Sequence, residues 1–289
     1  MRKCLSIFII LALCAGCAEQ ERKAALRDGI ISMSPNLTET IYALGQGDRL
    51  IARGAFDDFP PEALELPDAG GYLDPNLEKI LQLAPELIVL PGQHPKVSEF
   101  ARLNSIPVLN VHMDNLATID QGIATLGEAL RCEEEADVLR ARLNAEVAAL
   151  REAVAPLTRP KVFIVTTRQN NDLNTLNTSG GTSFVSEIVD LAGGENIYQD
   201  AQQPYLEASK ETLVMRAPEV ILEFQAGAEL SEAQRADLTD DWNQLPALPA
   251  VRDRRIYVLT GSHTLRPGPR ITEVAWEIAR LLHPDLRDE

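Results

Sequence analysis

The sequence specifies an α/β protein of two Rossmann-like lobes, each a mostly parallel sheet with flanking helices, joined by one long rigid α-helix. Three observations carry this expectation. Short aliphatic runs alternate with helical segments along most of the chain, the pattern of parallel strands joined by helical crossovers. The 22 residues from Glu133 to Val154 contain neither Gly nor Pro and are rich in Ala, Leu, Glu and Arg. The alternation restarts directly after them, and motifs of the first half recur in the second.

Each element follows from local residues. Gly29 to Met33 reads as a short buried strand. Ser34-Pro35 then offers a helix N-cap with Pro at the first helical position. Leu37, Ile41 and Leu44 continue at helical spacing, and Gly45 stops the run. Leu50 to Arg53 is a strand, Leu77 to Leu83 a helix, and Leu87 to Leu90 a buried strand ending at Pro91-Gly92. Ile106 to Val111 is a strand and Ile119 to Leu130 a helix. In the long segment Val138, Leu139, Leu143, Val147 and Leu150 form an apolar stripe on a rod roughly 33 Å long, which Pro156 and Pro160 end. Beyond it come strands at Lys161 to Thr166, Val220 to Glu223 and Arg255 to Leu259, and helices at Ser183 to Leu191 and Ile271 to Leu282.

An internal repeat supports two equivalent lobes. Glu78 and Glu211 each precede an Ala-Pro-Glu-aliphatic-Ile run, with seven positions from Glu to Pro in both. Glu39 and Glu187 each lie six before a helix-ending Gly, Gly45 and Gly193. The period is too long for a solenoid. Two similar lobes facing each other create a cleft, a common place for a ligand.

Composition excludes several classes. The 289 residues hold 27 Lys and Arg against 43 Asp and Glu, a formal charge of −16, which argues against nucleic acid as a partner. An apolar fraction of 45% with 24% charged residues excludes a disordered chain. Arg2-Lys3 followed by the apolar run Leu5 to Leu13 reads as an export signal, too short to anchor as a spanning helix. Leu13-Cys14-Ala15-Gly16-Cys17 resembles a bacterial lipobox, in which Cys17 becomes the lipidated first residue; Cys14 stands where Leu is usual. Ala18 rather than Asp follows, so the inner-membrane retention signal is missing. A plain secretory peptide cut nearby is the other reading. Removing the signal leaves 25 basic against 43 acidic residues, −18, and of the four Cys only Cys132 remains in the body, where acidic neighbours disfavour a reactive thiolate. The expected divisions are a signal at 1–17, a tether at 18–28, an N-terminal lobe at 29–132, a connecting helix at 133–157 and a C-terminal lobe at 158–289.

Enzyme motifs are scarce: the chain has no nucleophile elbow, Walker loop, dinucleotide fingerprint or His-Glu-x-x-His. Ser179-Gly180-Gly181-Thr182-Ser183 lacks the Lys of a nucleotide loop and reads either as a plain helix cap or as a turn aiming helix amides at a polar or anionic group.

Ser34-Pro35-Asn36-Leu37-Thr38-Glu39, Ala43 to Arg49, Gly70-Gly71-Tyr72, Pro75 to Ile80, Leu191 to Asn196 and Arg266-Pro267-Gly268-Pro269-Arg270 occur in order around the long helix. Together with the lipobox they resemble the ABC-importer substrate-binding proteins for cobalamin and ferric siderophores, the class with a rigid helical backbone between lobes. The resemblance implies a non-enzymatic, monomeric, extracytoplasmic lipoprotein with no intrinsic cofactor, which delivers a metal chelate containing cobalt or iron to the transmembrane subunits of a permease. A corrinoid is the first choice, with a ferric siderophore or haem as the alternative. It implies ligand contacts from Ser34, Asn36, Phe56, Tyr72, Pro91 to His94, Tyr205 and His263 to Arg266. Neither Trp242 nor Trp276 falls at a stacking position. It also implies that Glu78 and Glu211 dock onto Arg pockets of the permease; helix-dipole stabilisation, worth about 0.3–1 kcal/mol, explains each Glu singly but not their repetition.

His94 and His263 stand on expected cleft loops, one per lobe, and imidazole is the commonest metal ligand. They are either exposed loop residues or a pair gripping the chelated metal; Asp57 or Asp58 would complete a bare-metal site. The remaining alternatives are therefore a bare-metal binding protein and an exported enzyme using His94 with Asp57 or Asp58 as general base.

Overall fold

The computed structural model describes residues 29–169 and 173–286. The expected signal at 1–17, the lipidated Cys17 and the tether at 18–28 lie outside the described residues. The chain divides into two compact units between Val111 and His112, ahead of the helix expected to connect the lobes.

The first unit is a parallel α/β layer. Strands β1 (Ile30–Ser32), β2 (Leu50–Ala52), β3 (Leu87–Leu90) and β4 (Val108–Asn110) pair in the order β2-β1-β3-β4, every pair parallel. Helices α1 (Pro35–Ala43), α2 (Leu77–Leu83) and α3 (Pro95–Leu103) make the crossovers. The central strands are aliphatic because they are buried: β1 is buried throughout and β3 in all but its first residue. Ile31, Met33, Ile80, Ile88, Leu90 and Val97 form one buried cluster in which each large side chain contributes about 1.5–3 kcal/mol.

The second unit begins with α4 (Leu116–Leu130) and α5 (Glu133–Val154), the latter with the bounds expected from sequence. Arg140 bridges them, giving Nε and Nη2 to the two oxygens of Asp120 at 3.0 and 2.8 Å. The apolar stripe of α5 runs through Ala136, Leu139, Leu143, Leu150 and Val154. Val138 was expected on it, but stands one position off the stripe and is exposed. Cys132, immediately before α5, is buried.

The chain continues through β5 (Lys161–Arg168), β6 (Leu176–Ser179), α6 (Phe184–Leu191), β7 (Glu195–Asn196), β8 (Tyr205–Ala208), α7 (Lys210–Arg216), β9 (Val220–Phe224), α8 (Glu232–Asp240), α9 (Pro249–Arg252), β10 (Ile256–Leu259) and α10 (Ile271–Leu282). The sheet order is β10-β9-β5-β6-β8, with β7 beside β5. β10, β9, β5 and β7 pair in parallel, whereas β6 pairs antiparallel with both β5 and β8. The second sheet is therefore mixed. Its core gathers Phe163, Leu176, Leu213, Ile221 and the fully buried Trp242.

Candidate functional site

In a parallel sheet the loops leaving the carboxyl ends of the strands gather at one edge, where ligands of α/β proteins bind. In the first unit these loops carry the predicted ligand residues of the N-terminal half except Asn36, the second residue of α1. Ser34 stands at the N-cap position of α1 after β1, with Pro35 opening the helix. Its hydroxyl donates to Asn36 Oδ1 at 2.6 Å instead of capping a helix amide, and the same oxygen accepts the Leu37 N–H at 3.0 Å. Asn36 is consequently buried and held in place.

Phe56, Tyr72 and His94 are brought together by backbone ties between three loops. Ala69 N–H donates to Arg53 O at 2.9 Å and Ala55 N–H to Gly70 O at 3.1 Å, joining the loop after β2 to the one before α2. Gly70 has φ of +90°, and a Cβ there would come within 2.6 Å of Asn76 N, so the turn requires glycine. Phe56 reaches the next residue: a Cβ on Gly71 would stand 3.4 Å from its ring. Phe56 is 72% exposed, and Leu73, which the sequence reading missed, is 91% exposed. Its only sequence signal is its place beside Tyr72.

Tyr72 and His94 lock each other. Their rings meet edge to face at 4.7 Å, and the Tyr72 hydroxyl donates to Gln93 O at 3.0 Å. His94 Nδ1 accepts the Val97 N–H at 3.2 Å as the N-cap of α3, which leaves Nε2 to donate to Tyr72 O at 2.6 Å. Both ring nitrogens thus serve the loop: the structure uses the imidazole as a cap and a brace. Asp57 is also engaged, its Oδ2 accepting from the Thr38 hydroxyl and from Gly54 N–H at 3.0 Å. Among the described residues no group of three or more His, Cys, Asp or Glu side chains is arranged to hold a metal ion.

In the second unit Tyr205 opens β8 opposite Ser179 and is exposed. His263 sits in the single turn Ser262–Leu265, its ring against Gly261, and Arg266 follows that turn. Arg235 of α8 fixes the approach to this turn, donating to Val258 O at 3.0 Å and to Thr260 Oγ1 at 2.7 Å. The Gly180-Gly181 amides donate to Pro204 O and Ala201 O at 2.9 and 3.0 Å, so they are not directed at an anion. A Cβ at either glycine would lie 2.0 or 2.1 Å from a carbonyl oxygen, of Gln203 and Gln199 respectively. Ser183 caps α6 through the Ser186 N–H at 3.0 Å. Close packing and a helix cap account for the motif.

The sequence reading also missed a buried charged cluster. The side chains of Arg168 and Glu223 are both 0% exposed. Arg168 donates to Glu223 Oε1 at 2.9 Å, to Asp241 Oδ2 at 2.8 Å and to Leu238 O at 2.9 Å. Trp242 Nε1 donates to the other Glu223 oxygen at 3.1 Å. The cluster fastens the C-terminal end of α8 to the sheet. Its one sequence signal is a Glu inside the aliphatic run Val220-Ile221-Leu222-Glu223-Phe224.

Glu78 and Glu211 are exposed in the first turns of α2 and α7. The backbone N–H of Glu211, and then the Ser209 hydroxyl, hold its carboxyl below the usual carboxylate range. Among the described residues no helix is long and apolar enough to cross a membrane.

Comparison with known proteins is decisive on the family. The model of the family described as periplasmic binding protein matches residues 30–262. The chain belongs to the periplasmic binding protein family. The vitamin B12-binding protein of Pectobacterium atrosepticum is 29% identical over 268 residues, 89% of each chain. That of Yersinia pestis (strain Pestoides F) is 32% identical over 202 residues, 69% of this chain and 70% of the relative. Among solved structures, the periplasmic vitamin B12-binding protein BtuF of Vibrio cholerae is 27% identical, with a TM-score of 0.73 over 90% of this chain and 98% of that one. The periplasmic haem-binding protein HutB of the same organism shares the fold, with a TM-score of 0.79 at 23% identity over 89% of this chain and all 100% of that one. These relatives of the periplasmic binding protein are named for binding vitamin B12, and the two solved structures for binding vitamin B12 and haem.

Proposed function

We propose that this chain is the substrate-binding lipoprotein of an ABC importer, anchored outside the cytoplasm through Cys17, and that it captures a corrinoid and hands it to the permease. The observation that supports this most is the near full-length match to proteins named for vitamin B12 binding, at 29% identity over 89% of the chain. The geometry agrees with it. Phe56 and Tyr205 offer exposed rings and Tyr72 a half-buried one, suited to the apolar face of a macrocycle. Arg266 supplies a cation for a phosphate or amide group of the ligand. Trp242 is buried against Glu223 and Trp276 lies on α10 with Arg280 5.8 Å from its ring, so stacking falls to the Phe and Tyr rings. His94 braces Tyr72, and His263 is the imidazole we assign to the chelated cobalt or iron. Glu78 and Glu211 meet basic pockets of the permease, acting on registration and on-rate more than on affinity.

Visible absorption separates the ligands of the class. The purified chain is titrated with cyanocobalamin, haemin and a ferric hydroxamate, and the colour retained with protein on ultrafiltration is measured. Saturable retention of cyanocobalamin at one per chain is expected. Retention of haemin or the ferric chelate alone moves the ligand within the class. Retention of none contradicts the proposal.

A further inference from the structure

The two helices that carry Glu78 and Glu211 are copies of one another beyond their sequence motif. Both have seven residues, and both are N-capped by a side chain: Asn76 accepts Lys79 N–H at 2.9 Å and Ser209 accepts Thr212 N–H at 3.2 Å. Both end on an Ala in the left-handed region, Ala84 and Ala217, each with φ of 47°. Burial follows the same order position by position, with one buried side chain in each, Ile80 and Leu213.

The outer face of each helix also breaks the same rule. One turn after the Glu stands an apolar side chain left about half or more exposed: Leu81, 50% exposed, three residues after Glu78; and Val214 and Met215, 48% and 76% exposed, three and four residues after Glu211. Residues three and four apart on a helix are surface neighbours. Single exposed apolar residues are ordinary. The same carboxylate-plus-apolar pair, at the same place in two units that diverge elsewhere, is not explained that way.

We infer that each docking point is composite: the carboxylates of Glu78 and Glu211 and the adjoining Leu81 and Val214-Met215 together seat on the permease, in basic sockets with apolar rims. This rests on the docking of Glu78 and Glu211 proposed above. Charge complementarity selects the permease as occupant, since a carboxylate flanked by apolar groups fits a cation with an apolar surround. The charges set encounter and register, and the apolar groups hold the complex once water is excluded.

The test is binding of the purified chain to its permease–ATPase complex in nanodiscs across a salt series. Leu81→Gln and the double variant Val214→Gln/Met215→Gln are expected to weaken binding about fivefold and about tenfold, through faster dissociation, with the salt dependence unchanged. Glu78→Gln and Glu211→Gln are expected to lower association rate and flatten the salt dependence. Cyanocobalamin titration and circular dichroism confirm that each variant is folded. If the Glu variants weaken binding and the apolar variants do not, the composite surface is wrong and the docking reading stands. If neither set has an effect, the docking reading fails and the inference with it. If the chain self-associates in sedimentation and Leu81→Gln abolishes this, the patch belongs to a second copy and the inference is overturned.

Discussion

Arg168→Met exposes the energetic role of the buried cluster. In the native chain the Arg168 guanidinium is fully buried and donates to Glu223, Asp241 and the Leu238 carbonyl. Removing it leaves Glu223, 0% exposed, with only the Trp242 and Gln225 N–H groups for its charge. Breaking a buried pair in this way costs about 3–5 kcal/mol, because the remaining charge has lost both water and its partner. At a urea m-value of roughly 2 kcal/mol/M, the unfolding midpoint falls by about 1.5–2.5 M. Both Trp residues of the chain, 242 and 276, lie in the second unit, so Trp fluorescence follows this unit alone. The double variant Arg168→Met/Glu223→Met removes the fully buried carboxylate, keeps Asp241, whose side chain is 12% exposed, without Arg168, and recovers part of the loss. A single variant that costs under about 1 kcal/mol, or a double variant as unstable as the single, refutes the assignment of the loss to an uncompensated buried carboxylate.

Further outcomes follow from other parts of the structure. Burial first, with Arg255 and Arg159 adding to it, holds the His283 imidazole below its ordinary pKa of 6.5. The unfolded chain therefore binds a proton that the folded chain refuses as pH falls below about 6.5, and the folded state loses stability through that window until the lowered folded pKa is passed. The wild-type urea midpoint should thus fall relative to His283→Gln between pH 7.5 and 5, and a pH-independent difference contradicts the argument. His94→Ala removes the cap of α3 and the brace on Tyr72, at a cost of about 1–2 kcal/mol. Hydrogen exchange at the Val97 amide should accelerate, and unchanged protection would show that the cap carries no weight. Gly180→Ala drives a Cβ against the Gln203 carbonyl, for an expected loss of about 1–3 kcal/mol by Trp fluorescence, and an unaffected midpoint would deny the close packing.

Much of the fold is legible in the sequence because buried strands must be aliphatic. β1, β3, β5 and β9 each read as a short apolar run, and α5 appears at full length because nothing in it breaks a helix. The mixed edge of the second sheet is not legible. β6 is Leu-Asn-Thr-Ser and β8 is Tyr-Leu-Glu-Ala, sequences with no apolar run, held by pairing with neighbours rather than by their own pattern. α3 carries a weak signal as well: it begins His94-Pro95, and only Val97 and Ala101 of it are buried. The stripe of α5 was misplaced at Val138 because a single apolar residue beside a seam carries no sign of which side it takes.

The candidate site divides in the same way. Phe56, Tyr72, Tyr205 and Arg266 are named by the family resemblance; the structure puts Phe56, Tyr72 and Arg266 in connections that follow strands and Tyr205 at the start of β8. The part His94 plays is not legible, since it depends on a carbonyl 22 residues away. The same limit hides Arg168 and Glu223, 55 residues apart, whose meeting is set by the parallel register of β5 and β9.

ATP-driven uptake into proteoliposomes carrying the permease–ATPase complex tests the central claim most directly, because it separates capture from delivery. The wild-type chain loaded with radiolabelled cyanocobalamin should support uptake. The variant Glu78→Arg/Glu211→Arg should bind cyanocobalamin with unchanged affinity while uptake falls to the level without binding protein. Uptake unaffected by the charge reversal, or ligand binding lost together with uptake, would contradict the account.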